Sequence, residues 1–246
     1  MPADILDKVA IVTGGTGSLG KHIVQKLAGE GMKVYVPSRS LTEFNNIFDR
    51  SQGNEEESFK LKRIFSFVCD AIDESSVKEF IENVSVQENG NINILINTVG
   101  GISKQENVMD MSLETLDNMI SLNLKSTFFF TKECLKVMKA KNYGRIISIG
   151  AIAALEPTSG RFAYSLSKAG IVNLMDTVSE EMKDYNIRCN TIIPGIIDTD
   201  SNREWGSDKD IKKWVKPEEI ADIIYDLTSD VYSSVRQSLI KIYGSY

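Results

Sequence analysis

The sequence predicts an α/β fold: a single domain over residues 1–246, built on a doubly wound, mostly parallel sheet of about seven strands. Three observations predict it. Short β-branched runs alternate with helix-like stretches along the whole chain. A glycine-rich turn separates the first of those runs from the first helix. The length, 246 residues with 42% hydrophobic and 25% charged, suits one large core.

Lys8 to Thr13 is a β-branched run and reads as a buried strand. Gly14-Gly15-Thr16-Gly17-Ser18-Leu19-Gly20 follows. An amphipathic helix then runs from Lys21 to Ala28, and Gly29 and Gly31 stop it. Lys33 to Val36 is the second strand. Strand, glycine turn, helix and strand make a dinucleotide-binding unit. Its glycines let the backbone approach a pyrophosphate, which the helix N-terminus holds. Gly14, Thr16, Gly17, Ser18, Leu19 and Gly20 are therefore candidate cofactor ligands. The second strand ends in Val36-Pro37-Ser38-Arg39, without the acid that would take the adenosine ribose hydroxyls of NAD. Ser38 and Arg39 offer a hydroxyl and a guanidinium, which suit a 2′-phosphate, so NADPH is favoured and NADH is the second choice.

Thr42 to Arg50 reads as a helix, and Ser51 to Ser58, with its acidic Glu55-Glu56-Glu57, as a polar surface loop. Ile64 to Cys69 is the third strand, ending at Asp70. A helix follows from Ser75 to Val84. The fourth strand, Ile92 to Asn97, runs into Thr98-Val99-Gly100-Gly101. Alternating strands and helices imply a parallel sheet covered on both faces, with ligands at the carboxyl ends of the strands. Asp70, Asn97 and Gly100 fall at such ends and are cofactor candidates.

Ser112 can cap a long helix that carries Asn123 and runs to about Lys139. The fifth strand is Ile146 to Ile149. A second long helix surrounds Tyr164 and ends near Asp184. The sixth strand, Arg188 to Ile193, stops at Pro194-Gly195. Residues 199–215 are polar and carry Trp205 and Trp214. They read either as a lid over a substrate or as a loop that its tryptophans pin to the core. Pro217-Glu218-Glu219 opens the last helix, and Ser238 to Tyr243 is the last strand.

The net charge is −6, with lysines and arginines scattered, which argues against a nucleic-acid groove or a membrane-binding face. No apolar run approaches the ~20 residues that span a bilayer. Cys69, Cys134 and Cys189 are widely separated and read as buried thiols in a reducing compartment, the cytosol. His22 is the single histidine. A structural zinc site and a Ser-His-Asp triad therefore lack their parts, and no metal is expected. Acid–base chemistry falls to tyrosine, lysine or carboxylates.

Tyr164 and Lys168 stand four apart within a helix, so the phenol and the ammonium share a face. A fixed cation beside a phenol favours the phenolate, which would make the pair a tuned proton donor or acceptor.

Taken with the glycine turn and the strand ends, this pair resembles the short-chain dehydrogenase/reductase family over nearly the whole chain. The matching motifs are Thr13-Gly14 through Gly20, Asp70, Asn97-Thr-Val-Gly100, Asn123, Tyr164-x-x-x-Lys168, Pro194-Gly195 with Thr199, and the Pro217-Glu-Glu helix. The resemblance implies a Rossmann fold. It makes Tyr164 the general acid or base and Lys168 the group that lowers its pKa and holds the nicotinamide ribose. It makes Asn123 the residue that steadies a proton-relaying water. The backbone near Ile197 would hold the nicotinamide. Family members are usually dimers or tetramers, and the apolar Phe128-Phe129-Phe130 run fits a helix buried on more than one side.

Two departures stand out. Ser18 occupies a position that is glycine in many members. The position of the family's substrate-holding serine is Ala151, with Ser159 or Thr158 as local substitutes. Losing one donor to a developing oxyanion can cost ~3 kcal/mol of barrier. Three readings follow. One is an NADPH-dependent reductase of a carbonyl-like small molecule. Another is an enzyme resembling the dihydropteridine reductase branch, which also lacks that serine. The third is a dinucleotide-binding sensor or assembly subunit without catalysis.

Overall fold

The computed structural model describes residues 5–49, 55–156 and 158–244. Seven strands form one sheet: β1 (Val9–Thr13), β2 (Lys33–Ser38), β3 (Ile64–Val68), β4 (Ile94–Asn97), β5 (Gly144–Ile149), β6 (Ile187–Pro194) and β7 (Leu239–Ile242). Their order is β3-β2-β1-β4-β5-β6-β7, and every neighbouring pair is parallel. The chain steps outward from β1 to β3, then returns to the other flank of β1 for β4. That reversal opens a crevice at the carboxyl ends of β1 and β4.

The helices are α1 (Gly20–Gly29), α2 (Leu41–Ile47), α3 (Glu55–Leu61), α4 (Glu74–Gln87), α5 (Leu113–Met119), α6 (Ser126–Ala140), α7 (Phe162–Glu181), α8 (Asp200–Arg203), α9 (Asp208–Ile211) and α10 (Pro217–Thr228). Strand alternation sorts the core into two layers. Ala10 and Val12 of β1 pack with Ile23 and Leu27 of α1 and with Ile220 and Ile224 of α10. Val9 and Ile11 face the other way, onto Phe80 of α4, Phe130 of α6 and Ile171 of α7. Each such fully buried side chain contributes roughly 1.5–3 kcal/mol, so the sheet is a stiff platform for its loops.

Two expectations need correction. The acidic stretch read as a loop holds α3. None of its residues is buried, so no apolar period betrays it. Its support is local: Glu55, Glu56 and Glu57 sit at the positive end, and Lys60 meets Glu56 at 2.8 Å one turn on. Residues 51–54 of the same reading, and residue 50 at the end of the helix read before it, lie outside the described residues. The long helix after Ser112 is not uniform either. Between α5 and α6 it passes through a π-helical turn, Ile120–Lys125, and Asn123 lies in that turn. A π turn inserts an extra residue and re-aims the side chains around it.

Residues 199–215 hold α8 and α9, and Ile197 bridges to Val215 at their base. Trp214 is buried, whereas Trp205 is 63% exposed and lies against Trp214 with ring centroids 5.1 Å apart and planes tilted by 45°. Among the described residues, no helix is long and apolar enough to cross a membrane.

Candidate active site

A cavity of about 690 Å³ opens at the carboxyl ends of the strands. The glycine turn forms one wall. Gly14 has φ +63°, and a Cβ on Gly20 would lie 2.1 Å from the Gly14 carbonyl oxygen, so a larger residue cannot enter without opening the turn. Gly17 N–H donates to that same carbonyl at 2.9 Å. Thr16, Gly17, Ser18, Leu19 and Gly20 all line the cavity at the start of α1. This cradle of backbone at a helix N-terminus fits a pyrophosphate.

Two threonines tie the crevice together. Thr13 Oγ1 accepts from Thr98 N–H at 3.1 Å, and Thr98 Oγ1 donates to the Thr13 carbonyl at 2.6 Å. The sequence reading assigned them no role. Their signal was a hydroxyl residue closing each of two apolar runs.

At the far end lie Ser38, Arg39 and Glu43. The Ser38 hydroxyl is engaged locally, donating to the Ser40 carbonyl at 2.9 Å and accepting from Ser40 N–H at 3.3 Å. Arg39 is left as the cation of this corner. Glu43, in the first turn of α2, lines the same cavity with a carboxylate side chain. Ser40 Oγ caps that turn by accepting from Glu43 N–H at 3.3 Å. Glu43 was missed, although its Ser-x-x-Glu spacing marks a helix start. Asp70 also lines the cavity, and its carboxylate accepts from Ile72 N–H at 3.1 Å.

Gly100, Pro194, Gly195, Ile197 and Thr199 line the cavity, as does Ala151. Asn97 does not. It is 3% exposed, and its amide donates to Ser148 Oγ at 3.1 Å and Thr131 Oγ1 at 3.3 Å beneath the sheet. Asn97 shares a strand face with Leu95, which packs against the α4/α6/α7 layer, so its side chain points away from the cavity. Ser148 is fully buried on that same side. Ser159 is exposed and does not line the cavity, so it brings no hydroxyl to the place beside Ala151.

Asn123 is also fully buried behind the wall. Its Oδ1 accepts from Gly101 N–H at 2.8 Å, and its Nδ2 donates to the Gly101 carbonyl at 3.0 Å and to Ser167 Oγ at 2.9 Å. Every polar atom of the side chain is thus spent on positioning the loop after β4.

Tyr164 and Lys168 both reach the cavity from α7. Burial pushes the Tyr164 phenol up, and the Arg161 charge opposes it. Lys168 is 6% exposed, and its Nζ donates to the Ile149 carbonyl at 3.0 Å. Burial without a carboxylate partner brings its pKa down to about 8. A Cβ on Gly100 would lie 3.2 Å from that Nζ, so the loop and the lysine are closely fitted.

Asp198 anchors the wall after β6. Its carboxylate meets Arg203 Nε at 2.5 Å and Nη2 at 2.9 Å, and it also binds Lys216. Those two cations hold it well below the usual carboxylate range.

The chain is similar to curated enzymes over its full length. It is 29% identical to the 3-oxoacyl-acyl-carrier-protein reductase FabG of Thermotoga maritima, covering 96% of each chain. It is 26% identical to the FabG of Aquifex aeolicus, covering 99% of each. Among solved structures, ElxO with NADP bound superposes with a TM-score of 0.86 at 22% identity, covering 96% of this chain and 97% of that one. NAD-bound xylitol dehydrogenase superposes at 0.85 and 23% identity, covering 98% and 99%. These two support the fold. A family model for short chain dehydrogenase matches residues 8–210, and the chain belongs to that family of NAD(P)-dependent oxidoreductases.

Proposed function

We propose that this enzyme is an NADPH-dependent reductase of a carbonyl-like small molecule, with Tyr164 as the proton donor. The observation that carries this reading is the meeting of the glycine turn, Tyr164 and Lys168 in one cavity. The bound dinucleotide would supply hydride. The turn from Gly14 to Gly20 would hold its pyrophosphate and Arg39 its 2′-phosphate. Lys168, a buried cation with one backbone partner, has donors left for the ribose hydroxyls.

Tyr164 does the proton chemistry. Burial keeps its phenol protonated at neutral pH. The O–H is therefore ready to donate to an oxygen that becomes basic as the carbonyl is reduced. Lys168 stands one turn along the same helix with a pKa near 8, so its Nζ can hold or release a proton at working pH. The FabG relatives, named for 3-oxoacyl reduction, support a carbonyl substrate.

One observation favours a second reading. Ala151 lines the cavity with a methyl group, and neither Ser148 nor Ser159 replaces the missing hydroxyl. A quinonoid dihydropterin is already a reactive acceptor and forms no alcohol, so it needs less oxyanion stabilisation. No observation favours the sensor reading. The three buried cysteines, whose thiols burial pushes up, suit a reducing cytosol. Phe128, Phe162 and Leu166 leave apolar surface on α6 and α7 for a homodimer or homotetramer.

The test is oxidation of NADPH and NADH against β-ketoacyl thioesters, simple ketones and a quinonoid dihydropterin, with wild type and Ala151→Ser. Ketone reduction that the added serine accelerates supports the first reading. Pterin turnover without ketone turnover supports the second. Dinucleotide binding without any oxidation removes both.

A further inference from the structure

We propose that Arg161 is a positioning residue of this site: it ties the 101–106 loop to the start of α7 and sets a fixed positive charge beside Tyr164. Arg161 immediately precedes α7, three residues before Tyr164. Its Nη1 donates to the Ser103 carbonyl. Next to it, the Gly160 carbonyl accepts from Glu106 N–H at 3.0 Å. Gly160 has φ +70°, and a Cβ there would press on Gln105 at 3.2 Å, so the glycine lets the two segments close. The loop from Gly101 is therefore held by Asn123 at one end and by Gly160 and Arg161 at the other. Gly101 and Ile102 of this loop line the cavity that Tyr164 also lines.

The charge argument stands on the same geometry. Other charged groups on the elements packed around Tyr164 include Lys104 and Glu106 on the loop, Glu114 and Asp117 on α5, Lys125 in the π turn, Glu156 after the turn at 152–154, Lys168 on α7, and Asp198, Arg203 and Glu204 after β6. Arg203 is spent on Asp198. The Arg161 charge favours phenolate against burial. The guanidinium is held in place by its bond to Ser103 and stays charged at any working pH. The consequence for proton donation rests on the reading of Tyr164 given above. The positioning itself does not.

The test separates charge from tether and needs no turnover. Tyr164 is titrated by ultraviolet difference against a matched Tyr164→Phe protein, in the wild-type, Arg161→Gln and Arg161→Lys backgrounds. Arg161→Gln is expected to raise the phenol midpoint by about half a pH unit, an effect that shrinks in high salt, whereas Arg161→Lys keeps it near the wild-type value. An unmoved midpoint in Arg161→Gln, or an equal rise in Arg161→Lys, overturns the charge role. Trypsin cutting after Lys104 reads the tether and is expected to speed up several-fold in both variants. Unchanged cutting overturns it. If Tyr164→Phe retains turnover while the midpoints move as expected, the catalytic reading fails and this one stands.

Discussion

The Asn123 side chain grips Gly101 at two points, accepting from its N–H at 2.8 Å and donating to its carbonyl at 3.0 Å. A primary amide matches a peptide group edge to edge, so one side chain satisfies both backbone atoms of a loop residue. The third bond, to Ser167 at 2.9 Å, fixes the same amide to α7 one residue before Lys168. Loop, π turn and α7 thus meet in one buried side chain.

Asn123→Ala is therefore expected to lose about 3 kcal/mol of stability, because it removes three bonds and strands buried partners. Urea denaturation measures it. A loss below about 1 kcal/mol would show that Gly101 does not depend on the clip.

Tyr164→Phe is expected to lower turnover by about 10²- to 10⁴-fold, the usual worth of a positioned proton donor. Dinucleotide affinity, read by fluorescence titration, should stay within about twofold. Turnover at the wild-type rate would take Tyr164 out of the chemistry.

Lys168 carries a stability cost whose sign follows from its environment. Burial lowers its pKa from 10.5 to about 8, so the unfolded chain holds this proton more tightly. Stability then rises with pH between about 8 and 10.5, and below about 8 the full penalty, about 3 kcal/mol for such a displacement, is present. Lys168→Met should be inactive yet more stable than wild type at pH 7. That advantage should fade as the pH approaches 10.5. A variant less stable at neutral pH would mean that the hydrogen bond to Ile149 outweighs burial.

Arg39 and Glu43 face one corner with opposite charges, so each should move cofactor choice in its own direction. Arg39→Ala is expected to weaken NADPH about tenfold or more and to leave NADH nearly unchanged. Glu43→Ala should tighten NADPH by removing a like charge. Paired dissociation constants decide this, and equal effects on both cofactors would place neither residue at the 2′ position.

Most of the frame was legible because each strand is a β-branched run and each cavity loop begins where such a run stops. The glycine turn, Tyr164 and Lys168 were legible for a related reason: close backbone approach and i, i+4 spacing leave marks in sequence. What stayed hidden depends on direction rather than on residue type. Asn97 sits at a strand end, as expected, but counting by twos from Leu95 puts it under the sheet. The same counting, from Ile146, puts Ser148 on that buried side. The π turn at Asn123 changes helical register without altering composition. α3 buries nothing, so it has no period to read. Arg161 carries no local mark in the sequence, because its partner, a carbonyl at Ser103, is far away along the chain.

The contact of Trp205 with Trp214 has an optical consequence. The chain has two tryptophans, and both belong to the 199–215 segment. Emission excited at the red edge of the ultraviolet band, where the eight tyrosines do not absorb, is therefore emission from that segment alone. Trp205 stands at the cavity edge and Trp214 in the core beneath it, so one colour reports the mouth and its anchorage together. A reduced nicotinamide absorbs where tryptophan emits, so its arrival should quench that light. The protein thus carries its own built-in fluorimeter for occupancy of the site, with no label to attach.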